Sequence, residues 1–258
     1  MFKQRVLTVA VLLPAFVACA FLLPAGWWAL VMFLAVVLAA REWCGLGKFQ
    51  VLHSITLYVF LSIACLALWF NRELTVAVYA LSVVLWMVVV PLLLWRRMPM
   101  RADALAVLGG ILVLVPLWLA MVQLQEYPPL MLALLAIVWI SDSAAYGVGR
   151  AIGRHKLAAS ISPGKTWEGV AGAFFAVSAY AFLFHIFWYP SLDLLFILGA
   201  FLGMAALGIL GDLFESLLKR GANVKDSGSL LPGHGGVLDR IDALTAAIPL
   251  AALLFVPT

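Results

Sequence analysis

Charged residues are scarce in this sequence. Asp, Glu, Lys and Arg make up only 11% of its 258 residues, whereas an ordinary soluble domain has about 25%. Hydrophobic residues account for 66%, well above the roughly 45–50% of soluble domains. They occur in blocks near the length of about 20 residues that a helix needs to cross a bilayer. This composition excludes a soluble domain and predicts an all-α integral membrane protein, because helices satisfy their own backbone polar groups inside lipid.

Cysteine is also scarce. The three cysteines, Cys19, Cys44 and Cys65, stand singly, and the sequence has no CxxC or Cys/His spacing. This pattern excludes the usual zinc sites and a disulfide framework. We interpret all three as packing residues.

Charge is almost absent from the interiors of the apolar blocks. Pro, Gly and charged residues separate these blocks from one another. We therefore predict a polytopic bundle of about nine transmembrane helices, at 6–23, 26–40, 54–70, 74–95, 104–122, 128–141, 168–188, 192–211 and 240–257.

The first block has two interpretations. Lys3 and Arg5 precede it, and Ala18-Cys19-Ala20 is similar to the cleavage site of a secretory signal. The apolar run continues through residues 21–23, so we favour an uncleaved first helix.

Positive charge sets the predicted orientation, because cytoplasmic loops retain Lys and Arg. With nine helices and a cytoplasmic N-terminus, Arg72 is the only one of the 16 Lys and Arg residues that falls outside. Inward-facing loops at an anionic leaflet explain the net charge of +4, so nucleic acid is not expected as a partner. We expect a multi-pass protein of the inner (plasma) membrane, in contact with the lipid bilayer.

Two long cytoplasmic loops hold nearly all the polar residues of interest. They are predicted at 141–167 and 212–239, and any chemistry should therefore face the cytoplasm. We divide the chain into N-terminal transmembrane helices, 1–100, and a C-terminal region, 101–258, that carries both loops.

The second loop is flanked by acidic residues. Ser216 and Lys219 follow Asp212 by four and seven residues, a spacing that puts the three on one helical face. Asp239 and Asp242 begin the last helix three residues apart, again on one face. Magnesium prefers oxygen ligands, usually one or two carboxylates together with waters and substrate phosphates. These carboxylates therefore suit a divalent cation.

Basic residues and glycines lie between these acids. Basic side chains neutralise phosphate oxygens, and glycines let backbone amides approach an anion closely. The combination indicates a metal ion with a polyphosphate, in a loop that contains Lys219, Arg220, Lys225, Asp226, Gly228, Gly233, Gly235, Gly236 and Arg240. The alternative is a solvated loop whose acids begin helices and whose bases balance them. The run Pro232–Gly236 argues against it, since a merely solvated loop needs no such backbone freedom around one histidine, His234.

The first loop has weaker signals. Asp142 ends an apolar segment, and a carboxylate there is expensive in lipid, so a functional role is the default hypothesis. The glycines at 147–153 follow no strand, which excludes a dinucleotide fold. Ser162 is predicted to cap a helix that begins at Pro163, with Lys165 and Glu168 on one face. Lys165 then either contacts a phosphate or anchors the helix at lipid headgroups.

The stretch 216–242 resembles the signature of the phosphatidate cytidylyltransferases, the CDP-diacylglycerol synthases. In that family Ser, Lys-Arg, Lys-Asp, a small residue, Pro, His-Gly-Gly and Asp-Arg-x-Asp recur at fixed offsets. This sequence has them at Ser216, Lys219-Arg220, Lys225-Asp226, Gly228, Pro232, His234-Gly235-Gly236 and Asp239-Arg240-x-Asp242. Residues 142–146 and 162–169 also match, so the resemblance covers roughly the C-terminal half of the chain.

The resemblance implies a polytopic, often dimeric enzyme that joins CTP to phosphatidic acid, releases pyrophosphate and yields CDP-diacylglycerol for phospholipid biosynthesis. It also implies dependence on Mg²⁺, held by carboxylates that match Asp212 and Asp239; a second cation and a homodimer stay open. Catalytic roles are expected for Asp212, Lys219, Asp239 and Asp242. Substrate-binding roles are expected for Ser216, Arg220, Lys225, Asp226, His234, Arg240, Asp142, Ser162 and Lys165.

In the implied reaction two anions must meet, so charge neutralisation and positioning should supply most of the acceleration. The attacking phosphate is already ionised, which leaves His234 a positional role. Two alternatives are a transporter of an anionic metabolite and a CDP-alcohol phosphotransferase. A transporter should have charges near the middle of its apolar segments, but these segments are almost uncharged here. A CDP-alcohol phosphotransferase should have an acid-rich spacing, which this sequence lacks.

Overall fold

The computed structural model describes residues 2–97, 104–230, 233 and 235–256, and of residues 2–7 and 9 it describes the backbone alone. Most of this chain is helical. In order the helices are α1 (Phe2–Leu22), α2 (Ala25–Gly47), α3 (Val51–Phe70), α4 (Thr75–Val84), α5 (Val90–Arg96), α6 (Ala104–Leu124), α7 (Pro128–Ile152), α8 (Trp167–Phe187), α9 (Leu194–Ala222) and α10 (Leu238–Phe255). A short 3₁₀ helix, Arg72–Leu74, precedes α4, and a π-helical turn, Leu85–Val89, joins α4 to α5. The strands β1 (Lys156–Ala158) and β2 (Ser162–Thr166) form an antiparallel hairpin.

Seven helical stretches in the described chain are long and apolar enough to cross a membrane: Ala25–Gly47, Val51–Phe70, Arg72–Arg96, Ala104–Leu124, Pro128–Ile152, Trp167–Phe187 and Leu194–Ala222. Helix α1 contributes a shorter apolar stretch, Ala10–Leu22. Helix α10 differs from the seven because Asp239, Arg240 and Asp242 lie in its first five residues. With α4 and α5 counted as one continuous stretch, the described helices match the nine predicted segments. The protein is therefore an all-α, multi-pass membrane protein, as its composition predicted.

Three predicted helix ends are wrong, and the first is that of α2, which continues beyond residue 40 to Gly47. Helix α7 continues beyond residue 141 to Ile152, and α9 continues beyond residue 211 to Ala222. The predicted ends of α7 and α9 stand where the apolar residues stop, which marks the edge of the lipid. Neither continuation, 142–152 or 212–222, contains a proline that would end the helix. At 29 residues, α9 is about 43 Å long, against about 30 Å of hydrocarbon. Asp142 and Asp212 therefore lie inside continuous helices.

The predicted helix cap at Ser162 is also wrong. Ser162 begins β2, and the pairing of Lys156 with Thr166 keeps residues 162–166 extended. Thr166 caps α8 instead, because its side-chain oxygen accepts a hydrogen bond of 3.1 Å from the Gly169 amide. Lys165 thus stands on a strand, on a different element from Glu168.

Helix α6 lies at the centre of the bundle and contacts α2, α3, α4 and α10. Three indole N–H groups tie it to α2. Trp28 donates to the Met121 carbonyl at 2.9 Å, Trp118 to the Ala29 carbonyl at 3.0 Å, and Trp43 to the Ala106 carbonyl at 3.0 Å. Buried hydrogen bonds of this kind fix the position of α2 along α6. This fixed position matters because α2 carries an acidic residue of the site described next.

The predicted division between 1–100 and 101–258 falls at residues that lie outside the described chain. Helices from both sides of it contribute to one continuous hydrophobic core, which runs from Ala20 on α1 to Val256 after α10.

Candidate active site

A buried ion-pair cluster joins α9 to α10. The Lys219 ammonium lies 2.7 Å from a carboxylate oxygen of Asp239 on α10 and 2.6 Å from one of Glu215, one turn earlier on α9. The side chains of Asp239 and Glu215 are each only 4% exposed, and that of Lys219 is 14% exposed. Removing one member of such a group leaves an uncompensated buried charge, which is strongly destabilising. Lys219 and Asp239, both predicted from the sequence, therefore form the more deeply buried of the two ion pairs at the candidate site.

Asp239 also organises the loop before α10. Its Oδ2 accepts hydrogen bonds of 2.8 Å from the backbone amides of Ser227 and Gly236. Gly235 has a φ of +83°, and a Cβ there would lie 2.5 Å from Asp239 Oδ2. The glycines were predicted to let amides approach a substrate anion. The anion that the Gly236 amide contacts is instead Asp239 itself, so part of that interpretation is corrected.

Glu42 on α2 is a member of the site that the sequence reasoning missed. Its two carboxylate oxygens accept hydrogen bonds from the Val237 amide at 2.9 Å and the Leu238 amide at 2.8 Å. The Ser227 hydroxyl lies 2.9 Å from Glu42 Oε2 and 2.9 Å from Asp239 Oδ2, and it can donate to one of them at a time. Glu42 thus occupies the N-terminus of α10, where helix amides lack partners within the helix and a negative charge is favourable.

The β-hairpin contributes one residue to a second ion pair. The Lys165 ammonium lies 2.7 Å from Asp212 Oδ2, and the Ser216 hydroxyl donates to Asp212 Oδ1 at 3.4 Å. Lys165 and Asp212 are 22% and 35% exposed, so this pair is more accessible than the pair of Lys219 and Asp239. Lys165 therefore lies beside a predicted metal ligand, a position compatible with a phosphate contact.

The two ion pairs are linked by further carboxylates. Asp142 and Asp242 both interact electrostatically with Asp212, and Glu215 interacts with Asp242 and Asp239. The cluster therefore places five carboxylates around two lysines, and it carries a formal excess of negative charge. Its members are Asp142, Asp212, Glu215, Asp239, Asp242, Lys165 and Lys219.

This negative excess suits a cation. Among the described residues, Glu215 Oε1 is a buried oxygen that receives no hydrogen bond from an N–H group, and Glu215 interacts with the Asp242 carboxyl group. No three His, Cys, Asp or Glu side chains of the described chain converge closely enough to hold a metal ion by themselves. A divalent cation at this place would therefore need substrate oxygens to complete its coordination, which is the usual way that Mg²⁺ binds with phosphates. Asp212 is the more accessible of the two predicted ligands, because Asp239 is enclosed by its own donors.

The remaining predicted residues divide into four groups. Asp242 is inside the cluster, and its Oδ1 accepts from the Ala243 amide at 2.8 Å. Arg220 donates to the Ile161 carbonyl at 3.3 Å and so ties α9 to the hairpin. Exposed or peripheral positions are occupied by Ser162 on β2, Lys225 and Asp226 in the turn after α9, and Arg240 on α10. Pro232 and His234 lie outside the described residues.

Three residues of the site were missed: Glu42, Glu215 and Ser227. Glu42 had no clear signal, because it follows Arg41 just beyond the predicted apolar segment 26–40, where charged residues are expected. Glu215 stands one helical turn before Lys219, a spacing that favours an ion pair. Ser227 had no comparable signal, since its role depends on the path of the loop.

Comparison with known proteins identifies the family of this chain. Residues 3–257 match the model of the cytidylyltransferase family. The phosphatidate cytidylyltransferase of Pseudomonas aeruginosa is 39% identical over 272 aligned positions, which cover 98% of this chain and 97% of that protein. The enzyme of the same name from Haemophilus influenzae is 33% identical, with 96% of each chain covered. The one from Bacillus subtilis is 43% identical over 113 positions, or 44% of this chain and 42% of that protein.

The match spans both the N-terminal helices and the site on α9 and α10. A nucleotidyltransferase is thus indicated rather than a transporter or a CDP-alcohol phosphotransferase. The chain belongs to the cytidylyltransferase family.

Proposed function

We propose that this protein is a phosphatidate cytidylyltransferase of the inner membrane, which converts CTP and phosphatidate to CDP-diacylglycerol and pyrophosphate at the cytoplasmic face. The relatives that align over nearly their whole length carry that name. The observation that supports the proposal is the convergence of Lys165, Asp212, Lys219 and Asp239 from the β-hairpin and two helices.

In the proposed reaction a phosphate oxygen of phosphatidate attacks the α-phosphorus of CTP. A new P–O bond forms, the bond between the α-phosphorus and the bridging oxygen breaks, and pyrophosphate leaves with the electron pair. No strong base is required, because the attacking oxygen is already ionised. The main obstacle is repulsion between two anions, so fixed positive charge at the phosphates lowers the barrier.

Lys165 is the cation best placed for this task, since it is accessible and its partner Asp212 lies on the neighbouring helix. Lys219 is largely buried between Glu215 and Asp239, and we assign it the role of holding those carboxylates in position. Asp212 and Asp239 are the proposed Mg²⁺ ligands, with Asp142 and Asp242 close to Asp212. Bound Mg²⁺ would neutralise charge on the CTP phosphates.

A direct assay tests the proposal. Detergent-purified protein should transfer label from [α-³²P]CTP to a lipid-soluble product when phosphatidate and Mg²⁺ are supplied, with release of one pyrophosphate per product. Omission of phosphatidate should abolish the product, and chelation of Mg²⁺ should abolish it reversibly. Label that stays water-soluble in the complete mixture would contradict the proposed reaction. Full activity in the presence of a chelator would contradict only the proposed metal dependence, and the proposed reaction would stand.

A further inference from the structure

A cavity of about 690 Å³ lies between α1, α2, α6, α7 and α10. Most of its lining is apolar. Leu12, Leu13 and Trp139 line it and keep 47%, 41% and 43% of their surfaces exposed, so the cavity is open to the outside of the protein. Its size falls in the range of about 300–1,000 Å³ that is typical of sites for small organic ligands.

The charged side chains of the lining lie at one end of this cavity. Asp142, Ser143 and Arg240 lie at the cytoplasmic side of α7 and α10, by the predicted orientation. Leu135, also in the lining, precedes Ser143 by eight residues on α7, which corresponds to about 12 Å along the helix axis. The cavity is therefore an amphipathic slot that runs along the bundle.

The polar end belongs to the active site. Asp142 interacts electrostatically with both Asp212 and Lys165. Arg240 directly follows Asp239 on α10 and is exposed. A molecule in the slot with an anionic group at this end would present that group to the ion pair of Lys165 and Asp212.

Towards the opposite end, by the order of residues along α1 and α6, the lining includes aromatic residues that are held in place. Trp118 lines the cavity and donates to the Ala29 carbonyl at 3.0 Å. Phe16, also in the lining, packs edge-on against Trp28 with ring centroids 5.4 Å apart. Trp28 in turn donates to the backbone of Met121 at 2.9 Å. These contacts make a fixed end wall, and a fixed end wall limits the length of what the slot can hold.

We propose that this cavity holds one acyl chain of the lipid substrate, with the lipid phosphate at the end near Ser143 and Arg240, and that its end wall sets acyl-chain preference. This inference rests on the proposed function, because it takes phosphatidate as the substrate. An acyl chain that leaves the bilayer exchanges one apolar environment for another, so burial by itself adds little affinity. The cavity therefore selects by size and shape.

Substitution of Ala35 tests the size argument. Ala35 lines the cavity and is partly buried on α2, so Ala35→Phe adds a ring to the slot. We expect kcat/KM for dipalmitoyl phosphatidate to fall by about tenfold, a typical effect of steric change in an apolar pocket. The value for dihexanoyl phosphatidate should change by less than about twofold. Ala67→Phe, at an exposed position on α3, is the matched control and should change neither value.

The outcomes separate this inference from the proposed function. If wild-type protein forms no CDP-diacylglycerol from either lipid, the proposed function fails. The acyl-chain inference is overturned, while the proposed function stands, if wild type is active and Ala35→Phe lowers kcat/KM equally for the two lipids. The same holds if Ala35→Phe lowers kcat/KM for neither lipid.

A second measurement on wild type keeps the inference testable if Ala35→Phe does not fold. Phosphatidate with a photoreactive group at the end of one acyl chain should cross-link near Phe16, Met32 or Met121 in the lining. Cross-links confined to outward-facing positions such as Phe175, which is 80% exposed, would overturn the inference.

Discussion

At the scale of single residues, Glu42 shows how a remote side chain supports the site. Its carboxylate reaches from α2 to the first amides of α10 and to Ser227, across 185 or more positions of the chain. A Cβ at Gly236 would overlap with Glu42 and with the Ser227 hydroxyl, so a larger residue there would displace both side chains. Glu42 therefore fixes the loop whose amides position Asp239.

Replacing Glu42 should weaken both stability and turnover. Glu42→Ala leaves the Val237 and Leu238 amides without their acceptor, which we expect to cost about 1–3 kcal/mol. Turnover should fall by more than about tenfold, because a small displacement of catalytic groups is enough for such a loss. Thermal unfolding in detergent and the CTP assay measure the two effects. The control is Glu73→Ala, at an exposed position on the short 3₁₀ helix, and equal behaviour of both variants would contradict the role of Glu42.

Part of the site could be predicted from spacing alone. Asp212, Ser216 and Lys219 share one face of α9, and Asp239 and Asp242 share one face of α10, as the intervals of three, four and seven residues indicated. Glu42 could not be assigned in this way, because its partners come from a distant part of the chain. Ser227 could not either, since helical periodicity gives no information about a loop.

At the scale of elements, the β-hairpin carries Lys165 to the site. Its strand β2 precedes α8, yet Lys165 contacts Asp212 on α9. Arg220, near the end of α9, donates to Ile161 in the hairpin and so holds the two elements together. The hairpin is thus part of the site and fixes the distance between Lys165 and Asp212.

A pair of lysine substitutions tests this role of the hairpin. Lys165→Met should lower turnover by about 100-fold, the usual effect of removing a group that stabilises transition-state charge. Lys156→Met removes the same charge from the exposed β1 strand and should leave turnover within about twofold of wild type. Rates are measured in the CTP assay with both variants matched for monodispersity in detergent. Similar rates for the two variants would mean that Lys165 acts no differently from a surface charge.

Helices were easier to predict than their ends. Long apolar runs identified the helices because lipid leaves few other structures possible. Polarity did not mark where α7 and α9 end, since polar residues continue a helix as readily as apolar ones once it leaves lipid. The hairpin at 156–166 was missed because two short strands have no extended alternating pattern, and the serine before a proline and a glycine was interpreted as a cap.

At the scale of the whole molecule, the described helices share one core around α6 and α10. The ion pairs, the hairpin and the polar end of the cavity lie towards one end of this bundle, by the order of residues along α7, α9 and α10. The distribution of Lys and Arg predicts that this end faces the cytoplasm. A water-soluble nucleotide could then meet a lipid that stays within the bilayer.

Labelling of single cysteines tests that orientation. In a variant without the three native cysteines, Ala159→Cys is placed in the exposed turn of the hairpin, and Ser191→Cys is placed in the exposed turn before α9. A membrane-impermeant maleimide should label position 191 in intact spheroplasts and position 159 only in inverted vesicles. The reverse pattern would contradict a cytoplasmic site.

The central claim is that Asp212, together with residues of the hairpin and α10, forms the centre for cytidylyl transfer. The most direct test compares Asp212→Asn with Asp193→Asn, an exposed carboxylate at the opposite end of the same helix, where it caps α9. We predict that the rate of CDP-diacylglycerol formation falls by about 100-fold or more in Asp212→Asn, with the protein still folded and monodisperse. Asp193→Asn should stay within about twofold of wild type. Turnover by Asp212→Asn at the rate of its control, at saturating Mg²⁺, would contradict the account.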